Sequence, residues 1–205
     1  MDTDINIERP VLTLPDAEAD LLRAHYKDAE VILEYGSGGS TFVGAELGAR
    51  KVMSVESDKD WADNMTLAIQ KFLLGHNGIH IHHVDIGETK AWGYPKNDKN
   101  WRDYHKYPLS IWDQDFFEAP NVVLIDGRFR VACFIAVLSK ISRPTTVLFD
   151  DYVNRRNYHS VDYHYVEKFA KPVETEGRMA RFELEPTEFD RALMTEMVGW
   201  FNVVN

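Results

Sequence analysis

Five short apolar runs, at residues 30–35, 51–55, 79–84, 121–125 and 145–149, alternate with segments patterned as helices, and this alternation constrains the fold more than any other feature. The run 30–35, short, apolar and ending in glycines, suits a buried parallel strand. Strands separated by helices must pair in parallel through right-handed crossovers, with helices on both sides of the sheet. The expected fold is therefore α/β, a doubly wound and mostly parallel Rossmann-like sheet. Residues 172–176 and 179–184 flank Glu176-Gly177 as a hairpin that adds an antiparallel edge and makes seven strands.

Between these runs, helices are predicted at 15–27, where Asp16 and Glu18 complement the helix dipole, at 40–47 closed by Gly48, at 58–74 and at 131–139. In the 58–74 helix, Trp61, Met65, Ala68, Ile69 and Phe72 fall at helical spacing and form its expected apolar face. The alternation breaks at 88–120, an aromatic-rich insertion that reads as a lid over a planar ligand. Residues 186–205 read as a helix and an apolar tail, docked on the core or on a second copy in a homodimer. With no repeat or linker, 205 residues fit one domain, 1–205.

The formal net charge of −10 disfavours nucleic acid, because phosphate binding needs surplus Lys and Arg. The short basic run Arg155-Arg156 does not change that. One cysteine, Cys133, excludes an intrachain disulfide and a cysteine-based zinc site; set in an apolar run, it reads as a core thiol. The acidic N-terminus is no secretory signal, and no apolar run approaches about 20 residues. A soluble, cytoplasmic protein that does not enter a membrane is expected.

In an open parallel sheet the ligand crevice lies beyond the carboxyl ends of the strands. The first run ends in Glu34-Tyr35-Gly36-Ser37-Gly38-Gly39-Ser40-Thr41, whose small residues admit a ligand to bare backbone at a helix start. The second ends in Glu56, about 20 residues after the first glycine, the spacing of a ribose-binding carboxylate. A dinucleotide fingerprint would have a third glycine where Thr41 stands, and Glu34 would repel a pyrophosphate. A cationic sulfonium ligand is instead favoured by these acids.

On these residues, Glu34 to Thr41 with Glu56, the sequence resembles the class I S-adenosylmethionine-dependent methyltransferases, among them bacterial methyltransferase-like proteins without an established substrate. The resemblance implies that Gly36, Ser37, Gly38, Ser40 and Thr41 cradle the methionine part of S-adenosylmethionine, that Glu56 holds its ribose, and that Asp85 and Ile86 contact its adenine. The fourth and fifth runs end in Asp126 and in Asp150-Asp151. Catechol-type and caffeoyl-coenzyme-A O-methyltransferases carry Asp and Asp-Asn at similar places and hold a divalent metal there; this chain has Asp-Asp in place of Asp-Asn.

Two uses of these acids stay open. Asp126, Asp150 and Asp151 could bind Mg²⁺ or another divalent cation, which would acidify an acceptor hydroxyl. With fewer assumptions they contact donor and acceptor directly, Asp126 or Asp150 serving as base. Arg128 and Arg130 either neutralise these acids, the preferred reading, or bind an anionic acceptor. His80 and His82 share a strand face and read as a solvated or edge-strand pair rather than metal ligands. His159 and His164 are candidate bases. The expected activity is methyl transfer to a small-molecule acceptor, at oxygen, with a protein acceptor still open. The alternatives are a regulatory protein that binds S-adenosylmethionine without catalysis and, third, an NAD-dependent oxidoreductase.

Overall fold

The computed structural model describes residues 7–155, 162–188 and 191–204. At the centre of its sheet, β1 (Val31–Tyr35) runs parallel to β2 (Lys51–Glu56) on one side and to β6 (Val122–Ile125) on the other. Outward from these, β3 (Ile79–His83) pairs with β2 and β7 (Thr145–Phe149) with β6, both parallel. The hairpin of β8 (Glu174–Glu176) and β9 (Met179–Leu184) closes the far edge, β9 antiparallel to β7. The order of the seven strands is β3-β2-β1-β6-β7-β9-β8.

Side-chain alternation splits the core. Ile32, Val52, Leu124 and Leu148 meet α1 (Asp16–Tyr26), while α2 (Gly39–Glu46) and α3 (Lys59–Phe72) close together over Phe42, Met65 and Ala68. Val31, Leu33, Tyr35, Val55 and Phe149 face the other way, against α5 (Arg130–Lys140). In α3 the buried stripe is Ala62, Met65 and Ala68; Trp61 and Phe72 lie at its margins, 42% and 38% exposed. The predicted apolar face is thus rotated toward Ala62, because the small alanines are what let the helix approach the sheet.

The second half of the insertion supplies core residues, whereas its first half is largely exposed, Trp92 included. Its first part is a two-stranded hairpin, β4 (Thr89–Lys90) and β5 (Tyr94–Pro95), and its remainder consists of 3₁₀ turns at Trp101–Asp103 and Ser110–Asp113 around a single helical turn, α4 (Lys106–Leu109). Tyr104, Tyr107, Ile111 and Trp112 are buried in the same cluster as β1 and α5. Tyr35 Oη donates to Pro108 O at 2.7 Å and accepts from Trp112 Nε1 at 2.9 Å. This segment covers the sheet face that a regular crossover helix between β3 and β6 would cover. Each aromatic so buried contributes about 1.5–3 kcal/mol of apolar transfer, which is why the insertion packs down.

The C-terminal segment also docks on the body: α6 (Met194–Gly199) buries Met197, and Trp200 packs on Tyr165 at 4.6 Å. At the opposite edge, the β8–β9 turn is tied to the first helix. Arg178 N donates to Glu18 Oε1 at 2.7 Å, and Gly177, at φ +55°, leaves room for that carboxylate, since a Cβ there would lie 2.2 Å from it. Among the described residues no helix is long and apolar enough to cross a membrane.

Candidate functional site

Connections leave β1 and β6 toward opposite edges, so the crevice of this sheet opens between their carboxyl ends. There the backbones of Gly36 and Gly127 touch: Gly36 has φ +102°, and a Cβ on it would stand 3.0 Å from Gly127 N and Cα. Tyr107 reaches this junction from the insertion; its hydroxyl accepts from Arg128 N and donates to Val55 O, both at 3.4 Å.

The loop after β1 is built on Glu34, which lies wholly inside the protein rather than in the cleft. Tyr26 Oη donates to one of its oxygens at 2.8 Å and Thr41 Oγ1 to the other at 2.5 Å. Burial pushes its carboxyl up, against hydrogen bonds from Thr41, Ser40, Tyr26 and Ser54. Thr41 Oγ1 also accepts from Gly38 N at 3.2 Å. The side chains of Glu34, Ser40 and Thr41, expected to touch a ligand, therefore turn inward and fix the loop from beneath. Gly36, Ser37 and Gly38 form its cleft surface, and a Cβ on Gly38 would meet nothing within 4 Å.

Glu56, at the end of β2, faces this loop. Its Oε2 accepts from Ser37 Oγ at 3.0 Å and its Oε1 from the N–H groups of Ser57 and Asp58 at 2.7 and 2.9 Å. Backbone donors hold both oxygens, Ser37 N reaching Oε2 at 3.4 Å, and the Ser37 hydroxyl is an exchangeable side-chain partner of Oε2. The β4–β5 hairpin lies against the same strand end: Ser57 Oγ donates to Gly93 O at 3.0 Å and Thr89 Oγ1 to Asp58 Oδ2 at 2.8 Å. Trp61 Nε1 donates to Ser37 O at 2.9 Å, placing the half-exposed indole on the rim. After β3, Asp85 is exposed and accepts from Gly87 N at 2.8 Å, whereas Ile86 is fully buried. Of this pair, only Asp85 has an exposed side chain.

The ends of β6 and β7 bring Asp126, Asp150 and Asp151 together, but around guanidinium groups. Arg130, 4% exposed, lies 3.1 Å from Asp126 Oδ1 and 3.7 Å from an oxygen of both Asp150 and Asp151. It also donates to the carbonyls of Gly127, Asp150 and Asp126 at 3.0, 2.7 and 3.2 Å, lacing the two strand ends together. Arg178 clasps Asp150 with two hydrogen bonds of 3.0 Å and lies 3.1 Å from Asp151, which Arg155 also approaches at 3.3 Å. Burial pushes the Asp126 carboxyl up to about 7; Arg130 pulls it down while Asp150 and Asp151 raise it. Asp151 sits at φ +60°, a strained conformation for a non-glycine residue beside a site.

Of the two uses left open for these acids, the divalent site does not fit this arrangement. Arginines already compensate all three carboxylates where a cation would have to sit, and among the described residues no three His, Cys, Asp or Glu are grouped to hold a metal. Of the two arginines considered, Arg130 neutralises the acids as preferred. Arg128 does not: its guanidinium lies over the Tyr94 ring at 4.1 Å.

Other candidates fall away from the cleft. His80 stacks on Phe116 at 4.4 Å and His82 bonds Ser110 Oγ at 2.8 Å, so this is the edge-strand pair expected, on β3, partly covered by the insertion. His164 is held by Glu167 Oε1 at 2.8 Å and packs on Tyr152. His159 lies outside the described residues. Cys133 is buried, as expected, and burial pushes its thiol up. The residues that sequence reasoning missed are Tyr94, Tyr107, Trp61 and Arg178. Only the unusual density of aromatics in the insertion hinted at the first two, and nothing marked Arg178.

No protein-family model matches the chain, and no curated protein does. Among solved structures, a methyltransferase-like protein from Silicibacter pomeroyi is 45% identical, over 95% of this chain and 98% of that one, with a TM-score of 0.86. The fold is shared more distantly with cofactor-bound Rv0187 from MTB, at 14% identity over 87% and 84% of the chains and a TM-score of 0.55. A methyltransferase from Geobacter sulfurreducens has 11% identity over 86% and 82% and a TM-score of 0.51. By its identity to the first of these across nearly the whole of both chains, and by its sheet order, the protein belongs to the class I S-adenosylmethionine-dependent methyltransferase superfamily.

Proposed function

We propose that this protein transfers a methyl group from S-adenosylmethionine to an oxygen of a small-molecule acceptor. The observation that carries the reading is Glu56, fixed by two backbone N–H groups at the end of β2 and facing the bare turn of Gly36 to Gly38. A carboxylate so placed accepts from both hydroxyls of a ribose, Ser37 giving way to one of them. The turn and the N–H groups opening α2 suit the methionine carboxylate, and Asp126 offers negative charge to its ammonium group. Asp85, exposed after β3, is assigned to the adenine edge.

When bound, S-adenosylmethionine supplies an electrophilic methyl on a sulfonium. The chain's own part is to orient the acceptor oxygen and take its proton. Asp126 suits that second role: more than a third of its side chain is open, and its raised pKa is closer to neutrality than an ordinary carboxylate's. Arg130 and Arg178 hold Asp150 and Asp151 as structural anions behind it, so no metal is required. The net charge of −10 supports a small acceptor over a nucleic acid.

Calorimetry with S-adenosylhomocysteine and with NAD tests the donor. The former is expected to bind, and Glu56→Ala to weaken it about tenfold or more, the loss of two charge-assisted hydrogen bonds. Unchanged affinity would remove Glu56 from the site, and tight binding of NAD alone would overturn the donor assignment.

A further inference from the structure

The four arginines around the acids are not equivalent. Arg130, Arg178 and Arg155 face the three carboxylates of Asp126, Asp150 and Asp151. Arg128 is left over. It is 8% exposed, its Nε is sealed from solvent with no hydrogen-bond partner, and among the described residues no carboxylate pairs with it. A guanidinium does not shed its proton in a protein, so this one is a permanent cation with unused donors. Burial of an unpaired charge is costly and persists where something compensates it.

Its surroundings are aromatic and lie at the cleft. Tyr94 covers one face of the guanidinium at 4.1 Å, and Tyr107 Oη accepts from the Arg128 backbone N–H at 3.4 Å. Tyr94 follows Gly93, whose carbonyl is tied to Ser57 beside Glu56. The Arg128–Tyr94 pair therefore spans from the end of β2 to the end of β6, across the crevice itself. Stacking on one face and sealing of Nε leave the two terminal nitrogens of the fork, which are not sealed with it, to meet a planar, two-oxygen anion.

We propose that Arg128, stacked on Tyr94, seats a carboxylate group of the methyl acceptor. This deepens the methyl-transfer reading and rests on it for the identity of the ligand as acceptor. A monoanion matches one guanidinium. A phosphate dianion would bring a second negative charge toward Asp126, Asp150 and Asp151.

Benzoate is the probe, titrated by calorimetry into the full chain with and without saturating S-adenosylhomocysteine. The wild type is expected to bind benzoate, and Arg128→Met to lose about tenfold or more in that affinity, with binding of S-adenosylhomocysteine changed less than about twofold. Arg128→Lys, which keeps the charge and the stem but not the planar fork, is expected to fold and to bind benzoate at an intermediate level. Equal affinity of benzoate for wild type and both variants would overturn the proposal, as would no binding to the wild type or tighter binding of phenyl phosphate than of benzoate. If benzoate binding depends on Arg128 while S-adenosylhomocysteine fails to bind at all, the anion seat stands and the methyl-transfer reading falls.

Discussion

Replacing Arg130 by methionine keeps most of the stem and removes the charge that three carboxylates share. The structure loses contacts at 3.1, 3.7 and 3.7 Å to Asp126, Asp150 and Asp151, together with donors to three backbone carbonyls. Removing one partner of a buried ionic group costs about 3–5 kcal/mol. Asp126 keeps 36% of its side chain exposed, so water shares part of the charge and the lower end of that range is expected. For a chain of this size a loss of about 3 kcal/mol corresponds to a fall of roughly 6–12 °C in Tm. The pH dependence has a definite sign. Asp126 is an acid whose folded pKa is raised to about 7; its protonated form is the one the fold favours, so its contribution is fully present below the unfolded value and is lost as pH rises through the folded one. Without Arg130 that folded value climbs further. Urea unfolding is therefore expected to show a larger deficit for Arg130→Met at about pH 8 than at about pH 5.5. A deficit below about 1 kcal/mol, or one equal at both pH values, would refute the role given to Arg130.

Two further outcomes follow from the same geometry. Gly36→Ala, at φ +102° with its Cβ 3.0 Å from Gly127, is expected to cost about 2 kcal/mol or more in urea unfolding and to weaken S-adenosylhomocysteine binding; an alanine variant as stable as wild type would mean the two turns can separate freely. Carbon NMR titration of the Asp126 carboxyl is expected to give a midpoint near 7, and a midpoint near that of a free aspartate, about 4, would remove it as the proton acceptor.

The strands, their order along the chain and the acids at their ends were legible because apolar runs and glycine turns are local signals. The face a residue takes was not. All five residues of β1 are buried, so its sequence has no alternation to reveal that Glu34 points toward Tyr26 instead of the crevice. Ile86 and Asp85 present the same difficulty in a stretch with no regular structure. The burial of Tyr104, Tyr107, Ile111 and Trp112 was not legible because turns of three or four residues leave no period from which to infer it. Arg128 and Arg130 differ by two positions and look alike in sequence; which of them meets the acids depends on β7 and β9, far along the chain.

The clasp of the β8–β9 turn on Glu18 and Asp150 has a temporal consequence. During synthesis, strands β1 to β7 leave the ribosome before Arg178 exists, so the pocket's acids emerge with their repulsion unrelieved on that side. The clasp on Glu18 thus joins groups 160 residues apart in the chain, and it exists only once the final hairpin has been made.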